Sequence, residues 1–400
     1  PTGRLLDFAE RPCDGRVEGL AHDGQNLWAL DPATHRLCAI EKNTQTPTGN
    51  AVRREGSRTW IEGVRGFDPC EYVDSVHGSQ ARILQTLGES LSYDDLICYS
   101  AFAFRVQFHE TNCPSAAHPW CGYRCIENGY HALPWKLRVF EVPLDGKPRA
   151  DQAAFEAEAR AAVKASIDRG IPVHYGSEED GLIIGYGDDG RRWWCVHPYH
   201  KNGAEPFWYD EASGFAGGKD KWPWGLVIWT EPKTNDEHIP QRQLTLAALK
   251  QAVDMWKTEK RDAYFVGDAA YAFWLNWLRD VEAGKVSDPK AGMQGNAWCF
   301  AVLIHSRSIA GRWLNRAAND FSGETANQLR VAADHYTQIA DLCLKDINTS
   351  WDLAPVPARF DAWTSQMRQQ QIARLQAACE HDRAAIQAIT RALAAEATDN

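Results

Sequence analysis

The spacing of apolar and polar residues changes twice along this chain, and each change marks a different kind of structure. Between residues 17 and 41, short apolar runs alternate with turn residues. Leu27-Trp28-Ala29-Leu30 and Leu37-Cys38-Ala39-Ile40 read as two strands joined by the turn Asp31-Pro32-Ala33-Thr34. No second copy of this unit follows at a fixed period, so it is expected to be a hairpin appended to the next domain. A polar linker is expected over residues 42–58, which gives an N-terminal hairpin segment with linker over 1–58.

Residues 59–240 mix helical and strand periods. Asp68 suits an N-cap, with Pro69 at the first helical position and Glu71 three residues after the cap. Val73, Val76, Ile83, Leu84 and Leu87 then follow helical spacing until Gly88, which predicts a helix over 69–87. A second helix is expected over 151–169, with Phe155, Ala159, Ala162, Val163 and Ile167 on one face and Gly170 beyond its end. Strands are expected over 138–142, 182–186, 192–197 and 226–229, the middle two joined through Gly187-Asp188-Asp189-Gly190. From about Thr245 the helical period persists. Helices over 245–259, 268–284, 296–317, 323–346 and 361–397 predict a helical bundle domain over 241–400.

Composition narrows the partners. With 43 basic against 53 acidic residues, the formal charge is −10, which argues against nucleic acid as a partner. No run of about 18 apolar residues is present, and the first residues lack the apolar core of a leader, so no membrane partner is expected and the location expected is cytoplasmic. The eleven scattered cysteines fit reduced thiols better than a disulfide framework. Most of the 17 tryptophans suit core packing, and Trp194 of the Trp193-Trp194 pair is the one expected at a substrate surface.

The helix before Gly88, a second helix, and then an antiparallel sheet beginning Gly170-Ile171-Pro172-Val173-His174 and continuing Gly181-Leu182-Ile183-Ile184-Gly185-Tyr186-Gly187-Asp188-Asp189-Gly190 form a pattern. Over about residues 62–230 it resembles the papain-like superfamily, nearest to double-glycine-type cysteine peptidases and butirosin-type aminoacyl transfer proteins. The resemblance implies an α+β papain-like domain over 59–240. It also implies a nucleophile about thirteen residues before the glycine, a base before the Gly-Tyr strand and an acid after the next strand. Those positions hold Ser75, then Glu179 or Asp180, and then His197. A nucleophile, an acid and a base are present, with the last two exchanged relative to the family.

Other residues compete for the chemistry. Cys70, close to the start of the expected first helix, sits where free N–H groups and the helix dipole favour a thiolate, and His77 or His197 would act as its base. Cys113, His118, Cys121 and Cys125, among neighbouring histidines, are of the residue types that ligate zinc, although their spacing lacks a paired Cys-x2-Cys knuckle. No other cofactor is expected. Gly185-x-Gly187-x-x-Gly190 is not a dinucleotide loop, because a strand follows it. Arg105 is a candidate to bind a substrate carboxylate. The expected function is an acyl-transfer enzyme, a hydrolase or an aminoacyl or peptidyl transferase, acting on a small-molecule or peptide substrate. The alternative is a catalytically inactive binding protein on the same scaffold.

Overall fold

The computed structural model describes residues 20–22, 27–31, 36–40, 51–67, 71–141, 151–177, 179–197, 207–210, 223–344 and 360–399. The chain divides into two compact units, residues 1–49 and 50–400. In the first, β1 (Leu20–His22), β2 (Leu27–Asp31) and β3 (Arg36–Ile40) form an antiparallel sheet in which Trp28 faces Ala39 and Leu30 faces Leu37. The expected hairpin is therefore the β2–β3 part of a three-stranded sheet.

The second unit is α+β, with its helical part C-terminal. Its principal sheet contains β4 (Val52–Glu55), β5 (Arg58–Ile61), β7 (Trp135–Glu141), β8 (Val173–Gly176), β9 (Gly181–Gly187), β10 (Arg192–Val196), β11 (Phe207–Asp210) and β12 (Gly225–Pro232). The strands run in the order β11-β10-β9-β8-β12-β7, with β5 pairing both β4 and β9, and every pairing is antiparallel. Residues 52–58, read as linker, thus belong largely to this sheet. The first helices are α1 (Ser75–Thr86), α2 (Tyr93–Tyr99), α3 (Ile126–Ala132) and α4 (Gln152–Asp168). A small sheet is built from β6 (Gln107–His109), β13 (Lys260–Arg261) and β14 (Tyr264–Val266).

Strand alternation sends two sets of side chains to opposite faces. Ile183, Trp193, Cys195, Leu226 and Ile228 pack with Phe155, Ala159, Val163 and Ile167 of α4. Leu182, Ile184, Val196, Val227 and Trp229 pack with Val76, Ile83 and Leu84 of α1. The sheet is thus covered on both faces, which explains why its central strands read as near-continuous apolar runs. His174 lies between Val173 and Tyr175, which belong to the α4-side core, so it points to the α1 side.

The C-terminal part comprises α5 (Gln241–Lys257), α6 (Gly267–Glu282), α7 (Pro289–Ala317), α8 (Gly323–Leu344) and α9 (Ser365–Asp399). It shares one core with α2 and the Ala101–Phe108 stretch, and ion pairs Arg316–Asp95 (2.7 Å) and Arg312–Asp94 (3.3 Å) tie α7 to α2. The boundary expected at 240/241 is therefore an internal seam of a single compact unit. Among the described residues, no helix is long and apolar enough to cross a membrane.

One correction concerns α1, which begins at Ser75 and not at residue 69. Its N-cap is Asp74, whose carboxylate accepts the His77 N–H at 2.8 Å. The Tyr93 hydroxyl accepts the amides of Val73 (2.9 Å) and Asp74 (3.2 Å), which holds the preceding residues out of the helix. Asp68, Pro69 and Cys70 lie outside the described residues.

Candidate active site at the start of helix α1

Ser75 occupies the first helical position of α1, where backbone N–H groups have no acceptor within the helix. Its Oγ accepts the backbone N–H of Asp180 at 3.0 Å, so the start of α1 meets the turn that enters β9. The turn is tight. A Cβ on Gly181 would come within 2.5 Å of both the Tyr175 hydroxyl and the Val196 carbonyl, so only glycine fits there.

This turn carries two carboxyl groups with opposite properties. Burial pushes Glu179 up to about 7, and the charge of His118 and a hydrogen bond from Ser75 only partly oppose it. One Ser75 lone pair is engaged by the Asp180 amide, which leaves the hydroxyl proton free to be donated. Asp180 is fully buried, yet its carboxyl lies well below the usual carboxylate range: burial disfavours its charge, but His118 and His174 outweigh burial. His174 Nε2 lies 2.5 Å from Asp180 Oδ2, His118 Nε2 lies 3.4 Å from Oδ1, and the Trp120 indole N–H donates to Oδ2 at 2.9 Å. The Ser177 amide donates to Oδ1 at 3.2 Å. Asp180 thus fixes the orientation of His118 and ionises easily, whereas Glu179 exchanges a proton near neutrality.

Ser75, Glu179 and His118 all line a cavity of about 470 Å³. Trp224 and Trp298 supply flat walls, with Trp224 edge-on to the His118 ring (5.9 Å between centroids). Among the described residues, no lysine or arginine lines it. The bundle contributes Gln294, Trp298 and Val302 of α7. That helix is seated by backbone contact, since a Cβ on Gly295 would fall 1.8 Å from the Asn112 carbonyl oxygen. Gly295 therefore lets α7 approach closely enough for the bundle to complete the cavity.

The structure places the expected site residues unevenly. Ser75, Glu179 and Asp180 come together, with Asp180 as an orienting group. His197 immediately follows β10 and is not part of the cavity wall; the imidazole there is His118, expected as a metal ligand. His77 is buried against Phe102 (5.6 Å), and its Nδ1 lies 2.9 and 3.0 Å from the Asp74 oxygens, so it serves the N-cap and does not face the cavity. The carboxylate-binding expectation for Arg105 is corrected. Its buried guanidinium donates to the carbonyls of Ala116, His118, Cys121 and Tyr123, which shapes the loop that presents His118. Trp194 stacks on Trp60 with Arg58 beside both rings, away from the cavity.

The zinc set is not assembled. Cys113 and Cys121 line the cavity, but the buried Cys125 thiol donates to the Tyr123 carbonyl (3.4 Å) and abuts Met255 sulfur (3.6 Å). Among the described residues, no group of three or more His, Cys, Asp or Glu is placed to hold a metal. Burial also pushes the Cys121 and Cys125 thiols up, away from the thiolate that zinc needs.

His118, Trp224, Trp298 and Gln294 are the site residues that sequence spacing did not single out for catalysis. The available signal was Trp120, two residues after His118, whose indole N–H needs a buried acceptor and finds Asp180. No protein-family model and no curated protein matches the chain.

Proposed function

We propose that this chain is a papain-like acyl-transfer enzyme, a hydrolase or transferase, with Ser75 as its nucleophile. Its substrate is a small molecule or peptide carrying an amide or thioester carbonyl. The observation that carries this reading is the Ser75 hydroxyl at the first turn of α1, on the wall of a cavity that Glu179, a carboxyl pushed up to about 7 by burial, also lines. Ser75 Oγ attacks the carbonyl carbon as its proton passes to Glu179. The first N–H groups of α1 bind the oxyanion. The proton then leaves with the amine or thiol as the tetrahedral intermediate collapses, and water or an acceptor nucleophile releases the acyl group from Ser75. His118 Nε2 faces Asp180 at 3.4 Å and its Nδ1 accepts the Trp120 backbone N–H, so the ring shapes the cavity wall and the proton given to the leaving group is the one Glu179 received. The sheet with α1 against one face supports the papain-like reading, and the free thiols among the described cysteines suit a reducing compartment such as the cytoplasm.

The test is covalent labelling with a serine-directed fluorophosphonate. One equivalent is expected to react with the wild type and with Cys70→Ala. Ser75→Ala is expected to slow labelling by roughly 10³-fold or more, and to cost about 1–3 kcal/mol because the buried Asp180 N–H loses its acceptor. Equal labelling of Ser75→Ala overturns the assignment.

One observation favours a second reading, a silent protein that binds a small molecule or peptide in the same cavity. The hydrogen bond described for the Ser75 hydroxyl comes from a backbone amide, not from an imidazole. Saturable ligand binding without labelling or turnover is the outcome expected of it.

A further inference from the structure

Helix α9 carries Arg383, Gln387, Thr390 and Arg391 at the i, i+4, i+7 and i+8 spacing of one helical face. Opposite them α5 ends at Trp256 and Lys257, and the two groups line an open surface groove of about 500 Å³ that is separate from the Ser75 site. Three of its lining residues are cations and none is a carboxylate. In a chain of formal charge −10 this is a local inversion of sign.

The cations are unequally compensated. Arg383 donates to Asp268 at 2.6 Å. Arg391 gives its Nε–H to the neutral Gln328 amide oxygen at 2.8 Å. Among the described residues, Lys257 has no ion-pair partner. Two positive charges therefore face one groove without a counter-charge, beside the amide of Gln387. Both side chains are exposed and line the same groove, so an anion seated there meets two cations, which match a dianion better than a carboxylate. The partly buried Trp256 ring and the buried Ile386 give the same groove an apolar floor.

We propose that this groove binds a small organic phosphate. Its phosphoryl oxygens are held by the Arg391 guanidinium fork and the Lys257 ammonium, and its apolar or aromatic body lies on Trp256 and Ile386. The site is independent of the chemistry at Ser75.

Titration calorimetry of the full chain with phenyl phosphate, with benzoate as the singly charged comparison, tests it. Saturable one-to-one binding of phenyl phosphate is expected, stronger than that of benzoate. Lys257→Ala and Arg391→Ala are each expected to weaken it about tenfold, the scale of one lost charge-assisted hydrogen bond. Lys285→Ala, remote in the sequence and paired with Asp280, is expected to leave it unchanged. Thermal unfolding of each variant controls for folding. Absence of saturable binding, or unchanged binding in the Lys257→Ala/Arg391→Ala double variant, overturns the proposal. So does binding to phosphatidic acid vesicles without binding to phenyl phosphate, which would make the patch a lipid surface.

Discussion

Asp180 and Asp382 are both fully buried carboxylates, but they are compensated in different ways. Asp382 receives two bonds from Arg307, at 2.7 and 2.8 Å, and one from the Tyr271 hydroxyl at 2.6 Å. Arg307 also reaches the carbonyls of Ala103 (2.6 Å) and Arg105 (3.3 Å), so one permanent cation clamps α7, α9 and the chain leading to β6. Asp180 is compensated by two imidazoles, an indole and an amide, and its neighbour Glu179 borders a cavity that, among the described residues, has no permanent cation. A fixed charge suits a joint that must not respond to pH, whereas titratable partners suit a place where protons move.

The largest expected effect strikes the joint. Arg307→Ala leaves Asp382 buried without its cation and is expected to cost about 3–5 kcal/mol in denaturant unfolding. A loss under about 1 kcal/mol would show that the two carboxylates are not as different as their partners suggest.

The next effect is one of pH. Glu179 is raised from 4.5 to about 7, so the folded chain keeps a proton that the unfolded chain has lost. Stability contributed by this group therefore falls as pH rises from about 4.5 to about 7, with a slope of up to about 1.4 kcal/mol per pH unit. Asp180 acts in the opposite sense. Its lowered value adds stability above the unfolded value of 3.8, which is lost as pH falls through its folded value. Stability curves of wild type and Glu179→Gln should thus diverge with rising pH between those limits, and parallel curves would remove Glu179 as a neutral-pH base. Labelling at Ser75, which depends on the folded chain alone, should rise with a midpoint of about 7 in the wild type and not in Glu179→Gln.

The smallest effect concerns positioning. Tyr93 accepts two amides before Ser75 and donates to Asp74 at 2.9 Å, so Tyr93→Phe loses all three bonds. A stability loss of about 1–2 kcal/mol is expected, with slower labelling of Ser75 at an unchanged pH profile. A changed profile would instead place Tyr93 in the proton path.

Much of this architecture was legible in the residues. The 3.6-residue period located α4 to α9 to within a few positions, except that α7 begins earlier, at Pro289, and Gly187-Asp188-Asp189-Gly190 marked the β9–β10 turn. Ser75, Glu179 and Asp180 were singled out through the papain-like resemblance, counted from Gly88 and Gly185-Tyr186, and the fold brings them together where α1 starts and β9 begins. The start of α1 was misplaced because Asp68 and Asp74 are equally good caps in isolation, and Tyr93, nineteen residues after Asp74, selects the second. Arg105 and His118 both stand outside their expected duties for a similar reason. A guanidinium has the same local signature whether it meets a ligand or four carbonyls.

The sequence by itself determined the periods, the caps available, the buried strands and the charge excess, because these depend on neighbours within a few residues. Only the tertiary structure decided which imidazole lines the cavity with Ser75, which carboxyl ionises easily and which titrates near 7, and that α7 completes the cavity. Those outcomes depend on burial and on partners distant in sequence: Ser75 and Asp180 stand 105 positions apart, yet their atoms lie within 3.0 Å. A pKa is set by what fills the surrounding few ångströms, and folding alone determines that neighbourhood.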